Sequence, residues 1–283
     1  MIKQKEIAEI ANKKHVPKTT IDKDWVLGHF LNAMFSFPDV CENFVFKGGT
    51  CLHKCYIRDY RFSEDLDFTL IDDGFVINKR FLNKVIKMAS KASGIRFNLA
   101  SLKQQQHENI SQGYKVDIKF WGADHSPNQR PLPSSRWQTS IKLDISFSES
   151  LILPVVAKKI MHPYSDADQI CRKAICYDFR ELLSEKIRAL KQRNRPRDIY
   201  DVWYLRTMLY ADSYRGLTDL LFKKSVLKNL TIEGLMDFVN KEKYIRNKRA
   251  WSQSLTHQIP ASNLPDFDTV YKELTEYLKK III

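Results

Sequence analysis

Lys47-Gly48-Gly49-Thr50-Cys51-Leu52, followed by Arg61-Phe62-Ser63-Glu64-Asp65-Leu66-Asp67-Phe68, is the most informative stretch of the chain. Leu66-Asp-Phe-Thr-Leu-Ile has the apolar and β-branched content of a buried strand, so Asp65 and Asp67, two apart, project from one face. Leu66 and Phe68 point the other way and anchor the strand in a core. Two carboxylates held side by side repel each other unless a cation lies between them, an arrangement suited to Mg2+ carrying substrate phosphates. Upstream, Phe44-Val-Phe-Lys reads as a short buried strand that ends at Gly48-Gly49. Two glycines before a helix start let backbone approach a phosphate closely, and Thr50 adds a hydroxyl at the positive end of that helix. The chain has only nine glycines, which makes this pair conspicuous.

Working outward, helical patterning covers roughly Lys5–Lys13 and Asp24–Phe35, and a brief helix is expected over Thr50–Tyr60. Asp72-Asp73-Gly74 is a turn, and an amphipathic helix follows through Phe81, Leu82, Val85, Ile86 and Ala89. Strands are expected near Ile95–Leu102 and Tyr114–Trp121, then over Trp137–Phe147, where Ile141, Leu143, Ile145 and Phe147 alternate with Lys142, Asp144 and Ser146. Beyond about Ser150 the alternation stops. Helical patterns are expected over Asp178–Gln192, Asp198–Leu209, Leu217–Lys224, Ile232–Asn240 and Phe267–Lys279. The expected class is therefore α+β, with an α/β domain over 1–150 and a helical domain over 151–283 that completes the cleft.

Composition sets the outer limits. The 283 residues are 43% hydrophobic and 28% charged, ordinary for a globular protein. The apolar run Leu151–Ala157 is interrupted by Pro154 and falls far short of the ~18–20 residues of a membrane span. The N-terminal segment has no signal-peptide core. The five cysteines have no regular framework, which fits a reducing cytoplasm, and Cys51-x3-Cys55 lacks the second pair of a zinc site, so both are read as small helix-face residues. Nor do His53, His107, His125 and His162 have metal-ligand spacing. Lys and Arg exceed Asp and Glu by 46 to 33, a net charge of +13, which favours polyanionic partners.

A basic cluster lies downstream. Lys186, Arg188, Lys191, Arg193, Arg195 and Arg197 follow one another without an acid. Lys186 and Arg193 are seven apart and share a helical face, Pro196 interrupts, and Asp198 and Asp201 open the next helix at i, i+3. Lys186 is expected to reach the triphosphate and Arg193 to hold phosphates of nucleotide or RNA. Asp198 and Asp201 could alternatively stabilise a helix N-terminus and pair with Arg193 or Arg197.

Lys47-Gly-Gly-Thr-x-Leu with Arg61-x-Ser-x-Asp-Leu-Asp-Phe resembles the AbiEii/AbiGii toxin family of nucleotidyltransferases, a branch of the DNA polymerase β-like superfamily. The spacer between the glycines and the Asp-x-Asp is slightly long for the superfamily and typical of the toxin branch. Lys186-x-x-Ala189-Leu190-x-x-Arg193-x-x-x-Arg197-Asp198-x-x-Asp201 extends the match, so the motifs bracket roughly residues 44–205. The resemblance implies a polymerase β-like core, a mixed sheet with flanking helices, followed by a helical C-terminal domain. It implies catalytic roles for Asp65, Asp67, Lys186 and Asp201. Lys47, Gly48, Gly49, Thr50, Arg61, Ser63, Lys186, Arg193 and Asp198 fall to NTP and phosphate binding. Sites of this kind usually add a third acid from a neighbouring strand. Asp144 and Asp117 are the two candidates, and the cleaner alternation around Asp144 favours it as the third metal ligand.

The implied activity is transfer of a nucleotide from an NTP to an RNA 3′-OH, the tRNA acceptor end foremost, with Mg2+ (or Mn2+) as cofactor and a cognate antitoxin as partner. Two other readings stay open on the residues alone. One is a catalytically idle basic nucleic-acid-binding protein on the same fold; the other is a nucleotidyltransferase acting on a small-molecule or protein hydroxyl.

Overall fold

The computed structural model describes residues 2–282 except 73, 108–109, 126–128, 148 and 210–213. Asp73 of the expected turn and Tyr210 of the C-terminal half therefore lie outside the described residues. Two compact units divide the chain: 1–149 with 155–177, and 150–154 with 178–283. The boundary expected at 150/151 moves to 177/178, because two further strands follow Ser150. These are β6 (Val156–Lys159) and β7 (Lys173–Cys176), four residues each. Four residues are too few for alternation to register in the sequence.

In the first unit, seven strands form one mixed sheet in the order β3-β4-β5-β2-β1-β7-β6. The remaining members are β1 (Phe44–Lys47), β2 (Asp65–Leu70), β3 (Arg96–His107), β4 (Ile110–Trp121) and β5 (Ser140–Ser146). β2 runs antiparallel to β1 and parallel to β5. Helices α1 (Gln4–Lys14), α2 (Lys18–Met34) and α3 (Pro38–Asn43) precede the sheet, and α5 (Lys79–Ser93) joins β2 to β3. Both α2 and α5 pack on the sheet and on each other. Between β2 and α2 the core is aromatic: Phe68 is fully buried among the rings of Phe35, Phe44 and Phe46. Burying one such ring contributes roughly 1.5–3 kcal/mol, enough to pin which face of β2 turns inward. The opposite face is thereby left to Asp65 and Asp67.

Helix α5 is capped by Asn78, whose side chain accepts from the Phe81 amide at 2.9 Å, and it ends at Gly94 in the left-handed region.

The second unit is helical: α6 (Phe179–Gln192), α7 (Pro196–Leu205), α8 (Tyr214–Val226), α9 (Lys241–Leu255) and α10 (Phe267–Lys279). The helix expected over Ile232–Asn240 is absent; that segment holds a single 3-10 turn, Leu235–Asp237, and the helix lies after it. Helix α9 buries Asn247, Trp251 and Leu255, a stripe at four-residue spacing that begins with an asparagine and so escapes a hydrophobic pattern. Phe238 and Trp251 are core residues. Ile281 is buried, with its carbonyl accepting from Thr218 Oγ1.

Candidate active site

β1 delivers the chain into α4 (Gly48–Cys51), which passes directly into a π-helical turn over Leu52–Tyr56. Gly48 has φ +79°, a conformation that disfavours any side chain. A Cβ there would lie 2.1 Å from Asp67 Oδ2, so the carboxylate occupies the space that glycine leaves open. Gly49 is enclosed less tightly: its Cβ would meet Ser63 Oγ at 2.9 Å and an Arg61 guanidinium nitrogen at 3.1 Å. Both halves of the motif pair thus fold onto each other through two missing side chains.

Strand register arranges the charges in two rows across the sheet. Lys47 pairs with Asp67, Asp67 with Asp144, and Asp144 with Lys115. In the next row Asp65 pairs with Lys142, and Lys142 with Asp117. Register partners share a face, so Asp65, Asp67 and Asp144 belong to one polar surface, with Asp144 directly beside Asp67. Asp117 lies a strand further out, across Lys142. Sequence reasoning missed Lys142, whose interposition between Asp65 and Asp117 exists only through register.

Several expected phosphate ligands have specific partners. Thr50 is fully buried, and its hydroxyl donates to the backbone carbonyl of Asp65 at 2.5 Å. It fastens the glycine turn to the strand bearing the carboxylates. Lys47, 8% exposed, forms a short ion pair with Glu149 and lies over the Tyr177 ring at 5.8 Å. Glu149 was not foreseen, since it falls three residues beyond β5 with no periodic signal around it. Arg61 is buried, donates to the Phe62 carbonyl at 3.1 Å and lies 5.6 Å from the centre of the Tyr60 ring.

The remaining expected site residues belong to the second unit, where they form two ion pairs. Lys186 Nζ lies 2.8 Å from Asp201 Oδ2, the carboxylate being fully buried. Arg193 binds Asp198 with two donors, Nη2 to Oδ1 at 2.8 Å and Nε to Oδ2 at 3.0 Å. Asp198 also accepts from the Arg195 amide at 3.1 Å, so it closes the N-terminus of α7 as the capping alternative required.

Among the histidines, His162 binds Asp166 at 3.0 Å, His53 binds Asp24 at 2.9 Å, and His125 stacks on Trp121 with ring centres 3.6 Å apart. His29 and Trp25 also bind Asp166. Asp24 is completed by Lys54 at 2.7 Å and Tyr164 at 2.6 Å. Burial works against the charge on Asp24, but Lys54 and then His53 hold its carboxyl well below the usual carboxylate range.

A family model described as nucleotidyl transferase AbiEii toxin, type IV toxin–antitoxin system, matches residues 29–273. The chain belongs to the AbiEii nucleotidyltransferase toxin family. As an AbiEii protein it is a nucleotidyltransferase, and the family implies an NTP substrate and an antitoxin partner. A search of curated proteins finds no significant match. Among solved structures, this AbiEii chain is similar to MenT4, a nucleotidyltransferase toxin of Mycobacterium tuberculosis H37Rv, with a TM-score of 0.63 and 16% identity over 99% of this chain and 90% of that one. JHP933 from Helicobacter pylori gives 0.57 and 17% over 94% and 93%. A putative nucleotidyltransferase from H. pylori gives 0.56 and 17% over 94% and 96%. At these identities the likeness speaks for the fold. No helix among the described residues is long and apolar enough to cross a membrane.

Proposed function

We propose that this AbiEii enzyme transfers a nucleoside monophosphate from an NTP to an RNA 3′-OH in the cytoplasm, the tRNA acceptor end being the leading candidate, with Asp65, Asp67 and Asp144 holding Mg2+. The observation that carries the reading is the seating of the Asp67 carboxylate in the space vacated at Gly48, with Asp144 in register beside it. The donor set is all carboxylate oxygen, which suits a hard divalent cation, and Asp65 and Asp144 are both exposed to receive one. When bound, Mg2+ supplies charge neutralisation for the triphosphate and the leaving pyrophosphate.

The protein's own groups do the rest. Gly48 and Gly49 make room for Asp67 and for Ser63 with Arg61, and the backbone of their turn, with the positive charge of Lys47 and Arg61, is assigned to phosphate. The free face of Asp144 accepts the proton of the attacking hydroxyl. Lys186, positioned by Asp201, and Arg193, positioned by Asp198, are assigned to phosphates of nucleotide or RNA. A net charge of +13 supports a polyanionic acceptor over a neutral one.

Incubation with Mg2+, each α-labelled NTP and total RNA, followed by sequencing of RNA 3′ ends, tests the assignment. Labelled RNA is expected with at least one NTP. Asp65→Asn and Asp144→Asn should abolish label transfer, and Asp117→Asn should retain most of it. Transfer to protein or to a small hydroxyl compound alone, or metal-independent RNA binding without NTP binding, would overturn the assignment.

A further inference from the structure

Immediately behind the glycine turn, three thiols meet. Cys51 ends α4, Cys55 lies in the π-helical turn, and Cys176 ends β7 in register with Phe46 of β1. Their sulfur atoms all lie within 4.8 Å of one another. Cys51 and Cys176 are fully buried and Cys55 is 7% exposed. Cys41 and Cys171, the two other cysteines, are not buried.

We propose that Cys51, Cys55 and Cys176 form a binding site for a single thiophilic divalent cation, Zn2+ being the one tested. Thiolates about 2.3 Å from Zn2+ at tetrahedral angles stand roughly 3.8 Å apart, compatible with sulfurs that lie within 4.8 Å of one another. The wide turn carrying Cys55 is closed by the Ile57 amide on the Leu52 carbonyl at 2.9 Å, and π-turns of this kind collect at functional sites. Beyond one another, the sulfurs have a weak contact, Cys176 Sγ to the Ala174 carbonyl at 3.5 Å. Charge is also provided for. A cation with three thiolates carries one net negative charge, and the Lys158 ammonium, 4.7 Å from the Tyr56 ring centre, acts on Cys55 and Cys176, while Lys54 is committed to Asp24. Binding replaces each S–H by an S–metal bond and releases the proton to solvent. No electron transfer is involved.

Among the described residues, the other buried cluster of ligand atoms, His29, His162 and Asp166, differs in kind. Its carboxylate is already satisfied by Trp25 and both histidines.

The site is independent of the nucleotide acceptor, and its test reads sulfur directly. The full chain is reduced with a non-thiol phosphine, freed of metal and titrated with Zn2+ by equilibrium dialysis, and with Cd2+ by ultraviolet absorption. One thiolate-bound equivalent of each is expected, with a thiolate-to-cadmium charge-transfer band and proton release. Cys176→Ser should weaken Zn2+ by more than the ~10–100-fold that loss of an outer partner costs. Cys41→Ser and Cys171→Ser should leave affinity unchanged. Asp65→Asn should leave the cadmium band intact, which separates this site from the carboxylates. If Cys176→Ser fails to fold, the wild-type chain still answers: Zn2+ should slow alkylation of Cys55. A folded, reduced chain with no cadmium band, or with Cys55 alkylated equally fast with and without Zn2+, overturns the proposal.

Discussion

Replacing Gly48 by alanine probes the link between the glycine turn and the carboxylates most directly. The new Cβ would stand 2.1 Å from Asp67 Oδ2, 2.9 Å from its Cγ and 3.1 Å from its Cβ. A comfortable contact needs ~3.5 Å, so the oxygen must move by more than about 1 Å. Rotating the carboxylate does not relieve the crowding, because the Asp67 Cβ itself is too near. The φ of +79° adds about 1–2 kcal/mol of backbone cost for a residue with a side chain. Stability should therefore fall modestly, by a few degrees in Tm. Activity should fall much further, since a misplacement near 1 Å at a reacting centre costs on the order of 100-fold. The assay is the initial rate of label transfer at saturating NTP, with thermal unfolding measured in parallel. Gly49→Ala is the control: Gly49 is helical, and its nearest obstacle, Ser63 Oγ at 2.9 Å, can rotate away. It should lose about 10-fold or less. A folded Gly48→Ala protein with near wild-type rate, or a larger loss at Gly49, refutes the reasoning.

Thr50→Val removes the donor to the Asp65 carbonyl and should cost about 1–2 kcal/mol in urea unfolding together with a loss of transfer, while Thr50→Ser keeps both. Lys54→Met leaves the Asp24 carboxylate buried without its ammonium partner, so unfolding free energy should fall by about 3–5 kcal/mol; a smaller effect than that of the exposed pair Lys248–Asp268 would contradict the assignment. Two buried groups oppose each other in acid. Burial, then the Lys54 and His29 charges, push His162 down to about 4, so the unfolded chain takes up the extra proton and stability falls as pH drops from about 6.5 toward 4. Asp22 is pushed up to about 7 by burial, so its folded form holds a proton that the unfolded chain loses, and stability falls as pH rises from the ordinary carboxylate range to about 7. Asp22→Asn should therefore steepen the acid loss by up to ~1.4 kcal/mol per pH unit against wild type; parallel melting curves would show that Asp22 does not titrate in this range.

Much of this was legible in the sequence because the signals are local. Asp65-Leu-Asp-Phe fixes its own faces by period-two geometry, so two carboxylates on one side and an aromatic anchor on the other follow from adjacency alone. The same holds for helix α10, expected and observed over Phe267–Lys279, whose buried Val270, Leu274, Tyr277 and Leu278 repeat at helical spacing. Helix α9 was missed for the converse reason, an asparagine standing where the pattern needs an apolar residue. Strands β6 and β7 were missed because four residues carry too little alternation.

What tertiary structure alone decided is which distant residues become neighbours. Alternation places Asp117 and Asp144 on a strand face, but register depends on pairing across tens of residues, and it is pairing that sets Asp144 beside Asp67 and inserts Lys142 before Asp117. Glu149 reaches Lys47, and Cys176 reaches Cys51 and Cys55, by the same route. Local sequence sets the direction in which a side chain points, whereas its neighbours are chosen by the free energy of closing the sheet, a property of the whole chain.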